Sequence, residues 1–217
     1  TSSLVGSEMC IRDSDIALRD VKGNVRKLTD LKGKVVLVTG AAGSIGSELC
    51  RQLCHFGLKQ LVLFDSAETP MHNIRLELEE KFPDVEFTPV MGDIRMIHRV
   101  ESIYQRFHPQ LVFHAAAYKH VPLMEENPCE AVHTNVYGTR NVADMAVKYD
   151  VDKFIMVSTD KAVNPTNVMG ATKRICEMII QSYNERSQTD FVAVRFGNVL
   201  GSNGSVIPLF KKQIEAG

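Results

Sequence analysis

Four adjacent side chains that can hold or move protons stand at the end of one apolar segment. They are Ser158, Thr159, Asp160 and Lys161. The segment before them, 153–157, is typical of a strand buried in a parallel sheet, and open α/β sheets bind ligands at the carboxyl ends of such strands. A second amine, Lys173, lies on the helix predicted to follow. An Asp and a Lys side by side in a loop are commonly a solvated surface pair, but the strand-tip position and the second amine favour a catalytic site.

Three glycines mark a second candidate site nearer the start of the chain. Gly40, Gly43 and Gly46 lie between an apolar run at 35–38 and a segment with helical periodicity. In this strand–turn–helix context, glycines let a dinucleotide pyrophosphate approach the backbone and the free N–H groups of a helix N-terminus. That first helical turn would contain Ser44 and Ile45. A tight turn that uses glycine for steric reasons alone is the other interpretation.

An acidic residue follows at the spacing that a dinucleotide site requires. Asp65 ends the apolar run 61–64, about 20 residues after the glycines, where the ribose hydroxyls of the cofactor are usually bound. A carboxylate at this position favours NAD, because the 2′-phosphate of NADP would meet a like charge. The adjacent Ser66 leaves NADP as the alternative.

The elements that must position these groups alternate between strand and helix from Lys34 onward. Six strands are predicted, in the regions 35–38, 61–64, 87–91, 111–117, 153–158 and 191–196. The third contains Pro89, which cannot donate to a strand ladder and is therefore expected at a sheet edge. This pattern predicts an α/β Rossmann fold, a doubly wound parallel sheet with strand order 3-2-1-4-5-6.

Two further strand ends supply candidates for the cofactor site. Asp93 could hydrogen-bond the adenine amino group, with Ile94 beside it, or it could cap a helix predicted to begin at Ile94. The side chains of Ala115, Ala116 and Ala117 are small enough for a flat nicotinamide ribose to lie against the backbone. Tight packing of a helix on the sheet is the alternative reason for small residues there.

Composition limits the remaining classes of function. The 217 residues suffice for one α/β domain, and a net charge of −1 provides no basic surface for nucleic acid. No apolar run reaches the ~20 residues of a membrane span, no secretory signal is recognisable, and the odd count of five cysteines fits a reduced, cytoplasmic setting. The histidines lack metal-ligand spacing, so no metal site is expected. Residues 1–30 are assigned to a non-core arm or an extraneous segment, and 31–217 to an NAD(P)-binding Rossmann domain with the beginning of a substrate-binding region.

Five motifs in this order resemble those of a known family. They are TGAAGSIG at 39–46, AAAYKHVP at 115–122, STDK at 158–161, MGATK at 169–173 and RFGNVLG at 195–201. Together they resemble the extended short-chain dehydrogenase/reductases, and more narrowly the nucleotide-sugar 4,6-dehydratases of capsule and O-antigen biosynthesis that act on UDP-N-acetylglucosamine. The resemblance implies bound NAD or NADP, a UDP-sugar substrate and a homo-oligomer. Because the family continues into a further strand and a small substrate-capping domain, the chain is expected to be C-terminally truncated relative to it.

The resemblance also implies roles for individual residues. The superfamily usually has a Tyr four residues before its active-site Lys, and that Tyr takes the proton of the hydroxyl being oxidised. This chain has Met169 there, as a subset of the dehydratases does, and a thioether is no base. Asp160 is then expected to accept the C4 hydroxyl proton, directly or through water held by Thr159, and Lys161 to remove the C5 proton. Lys173 is expected to hydrogen-bond the nicotinamide ribose.

The implied reaction oxidises C4, removes water across C5 and C6, and returns hydride to C6. Substrate contacts are expected from Lys119, His120, Asn135, Ser158, Asn198 and Ser205. A polar residue in a helix, as Asn135 would be, more often faces solvent or holds neighbouring backbone. A plain turn is the alternative for the glycine-rich loop at 197–204. The competing interpretations of the whole chain are a UDP-sugar epimerase or reductase of the same superfamily and a non-catalytic NAD(P)-binding module.

Overall fold

The computed structural model of the protein describes residues 31–197 and the backbone of two short segments before them. Those segments, β1 (Ala17–Arg19) and β2 (Val25–Lys27), pair antiparallel with each other. The predicted substrate contacts Asn198 and Ser205 lie outside the described residues, as does most of the arm predicted over 1–30.

One parallel sheet of six strands organises the described part of the chain. Its strands are β3 (Val35–Thr39), β4 (Gln60–Asp65), β5 (Phe87–Met91), β6 (Leu111–His114), β7 (Lys153–Thr159) and β8 (Asp190–Phe196). They lie in the order β5-β4-β3-β6-β7-β8, and every neighbouring pair is parallel. This is the order predicted from the sequence, so the Rossmann fold is confirmed, and the strand that contains Pro89 lies at an edge of the sheet as expected.

Helices cover both faces of this sheet. They are α1 (Ser44–Leu53), α2 (Glu68–Lys81), α3 (Ile97–Phe107), α4 (Val121–Glu126), α5 (Pro128–Ala131), α6 (Gly138–Lys148) and α7 (Val168–Asn184). Alternate residues of β3 show why both faces need cover: Val36 and Val38 pack with α1 and α2, whereas Val35 and Leu37 pack with α3, α6 and α7. Within the described residues, no helix is both long and apolar enough to cross a membrane.

Two helices differ from the sequence expectation. The helix expected to begin at Ile94 begins at Ile97, because Asp93 folds the preceding backbone into a turn: its carboxylate accepts the N–H of Arg95 at 2.8 Å and its carbonyl accepts that of Met96 at 3.1 Å. The long helix expected over 129–149 is α5, then a π-helical segment over Val132–Tyr137, then α6. The π-helical segment was not predicted, because such segments are rare and carry no sequence signal that was recognised.

A fully buried histidine links three elements at the centre of the sheet. His114 ends β6, and its ring nitrogens lie 2.6 Å from the hydroxyl of Thr39 and 2.8 Å from the hydroxyl of Thr139. Since Thr39 ends β3 and Thr139 lies on α6, one imidazole joins two neighbouring strands to a covering helix. Burial, and then the nearby charge of Lys173, lowers the pKa of His114 to about 3.

We expect His114 to make the stability of the fold depend on pH. Its pKa is lower in the folded state than the unfolded value of about 6.5, so between these values only the unfolded chain takes up the proton. The stabilisation is complete above about pH 6.5 and is lost as the pH falls toward 3, by up to roughly 1.4 kcal/mol per pH unit. Urea unfolding at a series of pH values measures this slope. His114→Gln should be less stable at neutral pH, and its free energy of unfolding should change less with pH, because the variant lacks the one proton that unfolded His114 takes up. The same pH dependence in both proteins would show that His114 is not the group responsible.

Candidate active site

The glycine turn between β3 and α1 lies directly against the backbone of the loop after β6. Gly40 has a φ of +69°, and a Cβ there would lie 2.5 Å from the backbone nitrogen of Ala116, so only glycine fits both the conformation and the space. A Cβ at Gly46 would lie 1.9 Å from the carbonyl oxygen of Gly40, because the first turn of α1 packs on the same turn. No side-chain hydrogen bond caps the N-terminus of α1 at Gly43, and helix N-termini of this kind are common anion sites.

Asp65 ties this turn to the end of β4. One carboxylate oxygen accepts the N–H of Ala42 at 2.9 Å, and the other accepts the N–H of Ala67 at 2.9 Å. A carboxylate has about four acceptor positions, so Asp65 can hold both backbone groups and still accept from ligand hydroxyls. The predicted role at the ribose is therefore compatible with the structural one.

A cavity of about 380 Å³ opens beside the turn at the carboxyl edge of the sheet. It is lined by nine of the residues predicted to bind the cofactor: Gly40, Gly43, Asp65, Ser66, Asp93, Ile94, Ala115, Ala116 and Ala117. Three others, Ser44, Ile45 and Gly46, belong to the first turn of α1 and do not line this cavity. The volume lies in the range of small-molecule sites, and its walls come from several strand ends at once.

Three polar residues that were not predicted also line the cavity, namely Arg95, Tyr118 and Thr134. The hydroxyl of Thr134 is buried and has no hydrogen-bond partner among the described residues. An unmet hydrogen bond of a buried hydroxyl is costly, and one beside a cavity indicates the position of a ligand group. Thr134 lies in the π-helical segment, and such segments are frequent at functional sites. The polar run around it, Thr-Asn-Val-Tyr-Gly-Thr, was the available signal in the sequence.

Asp93 holds Arg95 beside the cavity. One carboxylate oxygen accepts the backbone N–H of Arg95, and the other pairs with its guanidinium at 2.6 Å, while a second arm of the guanidinium reaches Glu130 of α5 at 3.0 Å. Burial raises the pKa of Asp93, but the bonds from Arg95 outweigh it and hold the pKa below its ordinary value. Asp93 thus stabilises a turn rather than the first turn of a helix, and its contact with adenine stays a prediction.

Asn135 is fully buried and fixes the loop that follows the three alanines. Its side-chain oxygen accepts the N–H of Tyr118 at 2.8 Å, and its amide donates to the Tyr118 carbonyl at 3.1 Å and to the Thr172 hydroxyl at 2.9 Å. Because these contacts bury the whole side chain of Asn135, the structure does not support the expected contact with substrate. The side chain instead holds neighbouring backbone, which was the alternative. Lys119 and His120, which follow Tyr118, are exposed.

The predicted catalytic run lies at the carboxyl end of β7, next to the strand that carries the alanine loop. Thr159 donates to Asp160 at 2.9 Å, and Asp160 also accepts from the Lys161 ammonium at 3.1 Å. The bond from Thr159, and then that from Lys161, lowers the pKa of Asp160. The Asp160 side chain is 57 % exposed, so the two charged groups form a solvated ion pair. Ser158, one residue earlier, is buried and donates to Glu177 at 2.7 Å.

Met169 and Lys173 lie one turn apart on α7, and both are buried. Met169 packs with Met124 of α4 and Ala131 of α5 in a small apolar cluster. The ammonium of Lys173 donates to the carbonyl of Val157 at 3.0 Å, and burial lowers the pKa of Lys173. Lys173 does not line the cavity, but an ammonium has three N–H groups and can keep this bond while donating to another acceptor. Its contact with the ribose stays a prediction.

Sheet order, glycine turn and strand-end cavity together define a Rossmann domain with a site at the carboxyl ends of its strands. No three or more His, Cys, Asp or Glu side chains between 31 and 197 are grouped so as to hold a metal ion. Residues 36–217 match the family described as polysaccharide biosynthesis proteins, and the chain belongs to that family.

Named relatives cover most of this chain. The capsular polysaccharide biosynthesis protein CapD of Staphylococcus aureus is 56 % identical over 87 % of the chain and 32 % of its own length. A UDP-N-acetylglucosamine 4,6-dehydratase (inverting) of Campylobacter jejuni is 38 % identical over 85 % of the chain and 55 % of its own length. A UDP-glucose 4-epimerase of Rickettsia rickettsii is 39 % identical over 85 % of the chain and 54 % of its own length.

A solved structure of a protein with one of these names is also similar to this chain. The UDP-glucose 4-epimerase from Brucella ovis in complex with NAD has a TM-score of 0.67 and 26 % identity over 78 % of the chain and 54 % of that chain. The chain therefore spans between about a third and about half of the length of the proteins that it matches.

Replacing Lys173 by Met should separate the structural effect of this side chain from its functional one. A buried lysine whose pKa is below its unfolded value of about 10.4 destabilises the fold at neutral pH, and the fold regains stability as the pH rises from the folded pKa toward 10.4. We expect Lys173→Met to be at least as stable as the wild type at neutral pH, to lose that advantage in alkali, and to bind NAD more weakly. Thermal unfolding and cofactor titration measure these effects, with Lys148→Met, an exposed position of α6, as the control. A destabilised variant with unchanged NAD affinity would contradict both expectations.

Proposed function

We propose that the protein is a nucleotide-sugar 4,6-dehydratase that converts UDP-N-acetylglucosamine to a UDP-linked 4-keto-6-deoxy sugar for surface polysaccharide synthesis. The observation that carries this proposal is the position of Thr159, Asp160 and Lys161 at the end of β7, beside the strand whose loop lines the cavity. Support comes from the relative in Campylobacter jejuni, which is named as a dehydratase of this sugar.

The described residues fit a bound NAD or NADP. Gly40 lets the glycine turn lie against the backbone of the loop after β6 at the wall of the cavity, and the uncapped start of α1 lies beside the same cavity. The hydroxyl of Thr134 has no hydrogen-bond partner between residues 31 and 197, and Asp65 keeps acceptor positions for ribose hydroxyls. When bound, the nicotinamide would supply a hydride acceptor that is restored at the end of the reaction. The solved epimerase of similar fold contains NAD, which supports the same group here.

The proton transfers fall to the residues at the end of β7. Asp160 is ionised because its pKa is lowered, and it accepts the proton of the C4 hydroxyl, directly or through water held by Thr159. The ketone at C4 acidifies the C5 hydrogen, and the neutral amine of Lys161 removes it. Asp160 then gives its proton to the departing C6 hydroxyl, which leaves as water. Lys161 returns a proton to C5 when C6 receives hydride, so no external oxidant is consumed.

The order of these steps follows from the ion pair. Lys161 acts as a base only when neutral, and its ammonium forms an ion pair with the Asp160 carboxylate at 3.1 Å. Protonation of Asp160 in the first step ends that attraction. Oxidation at C4 therefore prepares the base for the step at C5.

We expect the protein at its full natural length to convert UDP-N-acetylglucosamine in deuterated water with catalytic NAD. Mass spectrometry and NMR should show a 4-keto-6-deoxy product, lighter by one water before deuterium is counted, with deuterium at C5. Asp160→Asn and Lys161→Met should each lower the rate by about 10²–10⁴-fold, because each removes a general acid or base. Their unfolding temperature should hardly change, since an exposed ion pair contributes only about 0–1 kcal/mol.

A matched control lies at the amino ends of the strands, on the side of the sheet away from the proposed site. Lys34 and Asp152 form an exposed ion pair at 2.9 Å, before the strands begin, so Asp152→Asn removes the same type of contact away from the site. We expect this variant to keep wild-type turnover. No conversion in the presence of bound cofactor, or Asp160→Asn with the activity of the control, would refute the proposed roles.

The structure also favours NAD over NADP. The carboxylate of Asp65 lines the cavity beside Ser66, where the 2′-phosphate of NADP would lie. Like charges close together in a partly buried site are unfavourable, so we expect NADP to bind at least about tenfold more weakly than NAD. Titration of the protein with each cofactor measures the ratio. Equal affinity would show that Ser66 or a mobile cation relieves the repulsion.

A UDP-sugar 4-epimerase is the second candidate, because the Rickettsia rickettsii relative carries that name at a similar identity. The same experiment separates the two, since an epimerase would yield the 4-epimer with no loss of water and no deuterium at C5. A non-catalytic module is favoured only by the apolar burial of Met169, and binding of NAD without any turnover would support it.

A further inference from the structure

One carboxylate on α7 joins two strands close to where they end. Glu177 is 6 % exposed and lies one turn after Lys173. Its Oε1 accepts from Ser158 Oγ at 2.7 Å and from Arg195 Nε at 2.8 Å. Its Oε2 accepts from Arg195 Nη2 at 2.6 Å and from Arg174 Nη1 at 3.1 Å. Arg195 therefore grips both carboxylate oxygens, which fixes direction as well as distance.

These contacts occupy the whole carboxylate. An ionised carboxylate has about four acceptor positions, and each oxygen of Glu177 already accepts two hydrogen bonds. Burial raises the pKa of Glu177, but the bonds from Arg195, Ser158 and Arg174 outweigh it and hold the pKa below its ordinary value. The group stays ionised and offers no position for proton exchange, so it acts neither as an acid nor as a base.

The residues that Glu177 holds stand at one level of the sheet. Ser158 of β7 and Arg195 of β8 are paired directly across the ladder, and the next pair, Thr159 with Phe196, is the last one. Beyond it, β7 continues into Asp160, and β8 continues into the glycine-rich loop predicted to bind substrate. A single buried side chain thus links the side chains of the two strands one pair before the strand ends, which lead to the proposed catalytic run and to that loop.

We propose that Glu177 is a positioning residue for the dehydration, which holds the end of β7 against the end of β8 and so places Asp160 and Lys161 at the sugar. It acts through Ser158 and Arg195 and touches no reacting atom. Its catalytic consequence rests on the proposed function, whereas the fixing of the strand ends is a property of the fold and is measurable without turnover.

Glu77 provides a matched control for this side chain. Its two carboxylate oxygens also bind one arginine, Arg51, at 2.9 Å each, and one of them accepts from Lys81 at 2.8 Å. This carboxylate joins α1 to α2, away from the ends of β7 and β8. Glu177→Gln and Glu77→Gln therefore remove the same kind of interaction at two places in the fold.

The experiment combines amide hydrogen exchange over 158–163 and 194–197 with steady-state kinetics on UDP-N-acetylglucosamine, in the full-length protein saturated with NAD. In Glu177→Gln we expect exchange at both strand ends to rise about tenfold and kcat to fall about 10²-fold, with a smaller rise in KM and unchanged NAD affinity. In Glu77→Gln we expect a smaller loss of thermal stability, because this side chain is more exposed, with unchanged exchange at the strand ends and unchanged kcat.

Each other outcome also decides the matter. Equal exchange at the strand ends in the two variants overturns the proposal, whatever the activity. Faster exchange with the kcat of the control overturns its catalytic part. A wild type that binds NAD but does not dehydrate the sugar refutes the proposed function alone, and exchange then decides whether Glu177 fixes the strand ends. If Glu177→Gln does not fold, Arg195→Lys keeps the charge, loses the two-pronged contact and gives the same readouts.

Discussion

Two backbone segments touch where β3 and β6 end, and the rest of the site is arranged around that contact. A side chain at Gly40 would collide with Ala116, so the turn and the alanine loop approach each other with nothing between them. This is the point at which the strand order reverses, and crevices in open sheets form there. Below the contact, His114 bonds Thr39 and so ties the same two strands together from the interior.

Those parts of the fold that depend on local sequence were predictable. Buried parallel strands appear in the sequence as continuous apolar runs. Pro89 indicated that its strand lies at an edge of the sheet rather than at the centre. The spacing of the glycines indicated a tight turn in which side chains would collide with neighbouring backbone. The strand tips then placed Asp65, the alanines and the run at 158–161 along one edge of the sheet. Each of these inferences uses neighbours in the chain, and the structure agrees with the positions that it describes.

The parts that depend on distant partners were not predictable. Thr134 lies in a π-helical segment beside the cavity, and the side chain of Asn135 is held by Tyr118, which is 17 residues away in sequence. The exposure of Asp160 was likewise invisible, because a strand tip can be covered or open depending on what packs above it. In the sequence, Glu177 resembles any polar residue of an amphipathic helix, because its hydrogen bonds from Ser158 and Arg195 form only in the folded chain.

Helix α7 buries polar groups on the side that an ordinary covering helix would make apolar. Thr172, Lys173 and Glu177 are all buried there, and each has a named partner in the strands or in the neighbouring helical segment. An unpaired polar group at such a depth would cost more than its bond contributes, so these contacts specify one docking of the helix and disfavour others. Since α7 also carries Met169 against α4, the docking of one helix sets the geometry of the whole carboxyl edge.

Asp65 has a consequence for anyone who would redesign this protein to use a different electron carrier. Asp65 lines the cavity, and its carboxylate also hydrogen-bonds both the glycine turn and the loop after β4. A neutral replacement chosen to admit an extra phosphate would also release at least one of the N–H groups of Ala42 and Ala67, because an amide side chain has only one acceptor oxygen and an apolar side chain has none. A substitution of Asp65 therefore changes the cofactor preference and the hydrogen bonding around the glycine turn together. A redesign would have to begin at Ser66, whose side chain adjoins the same space.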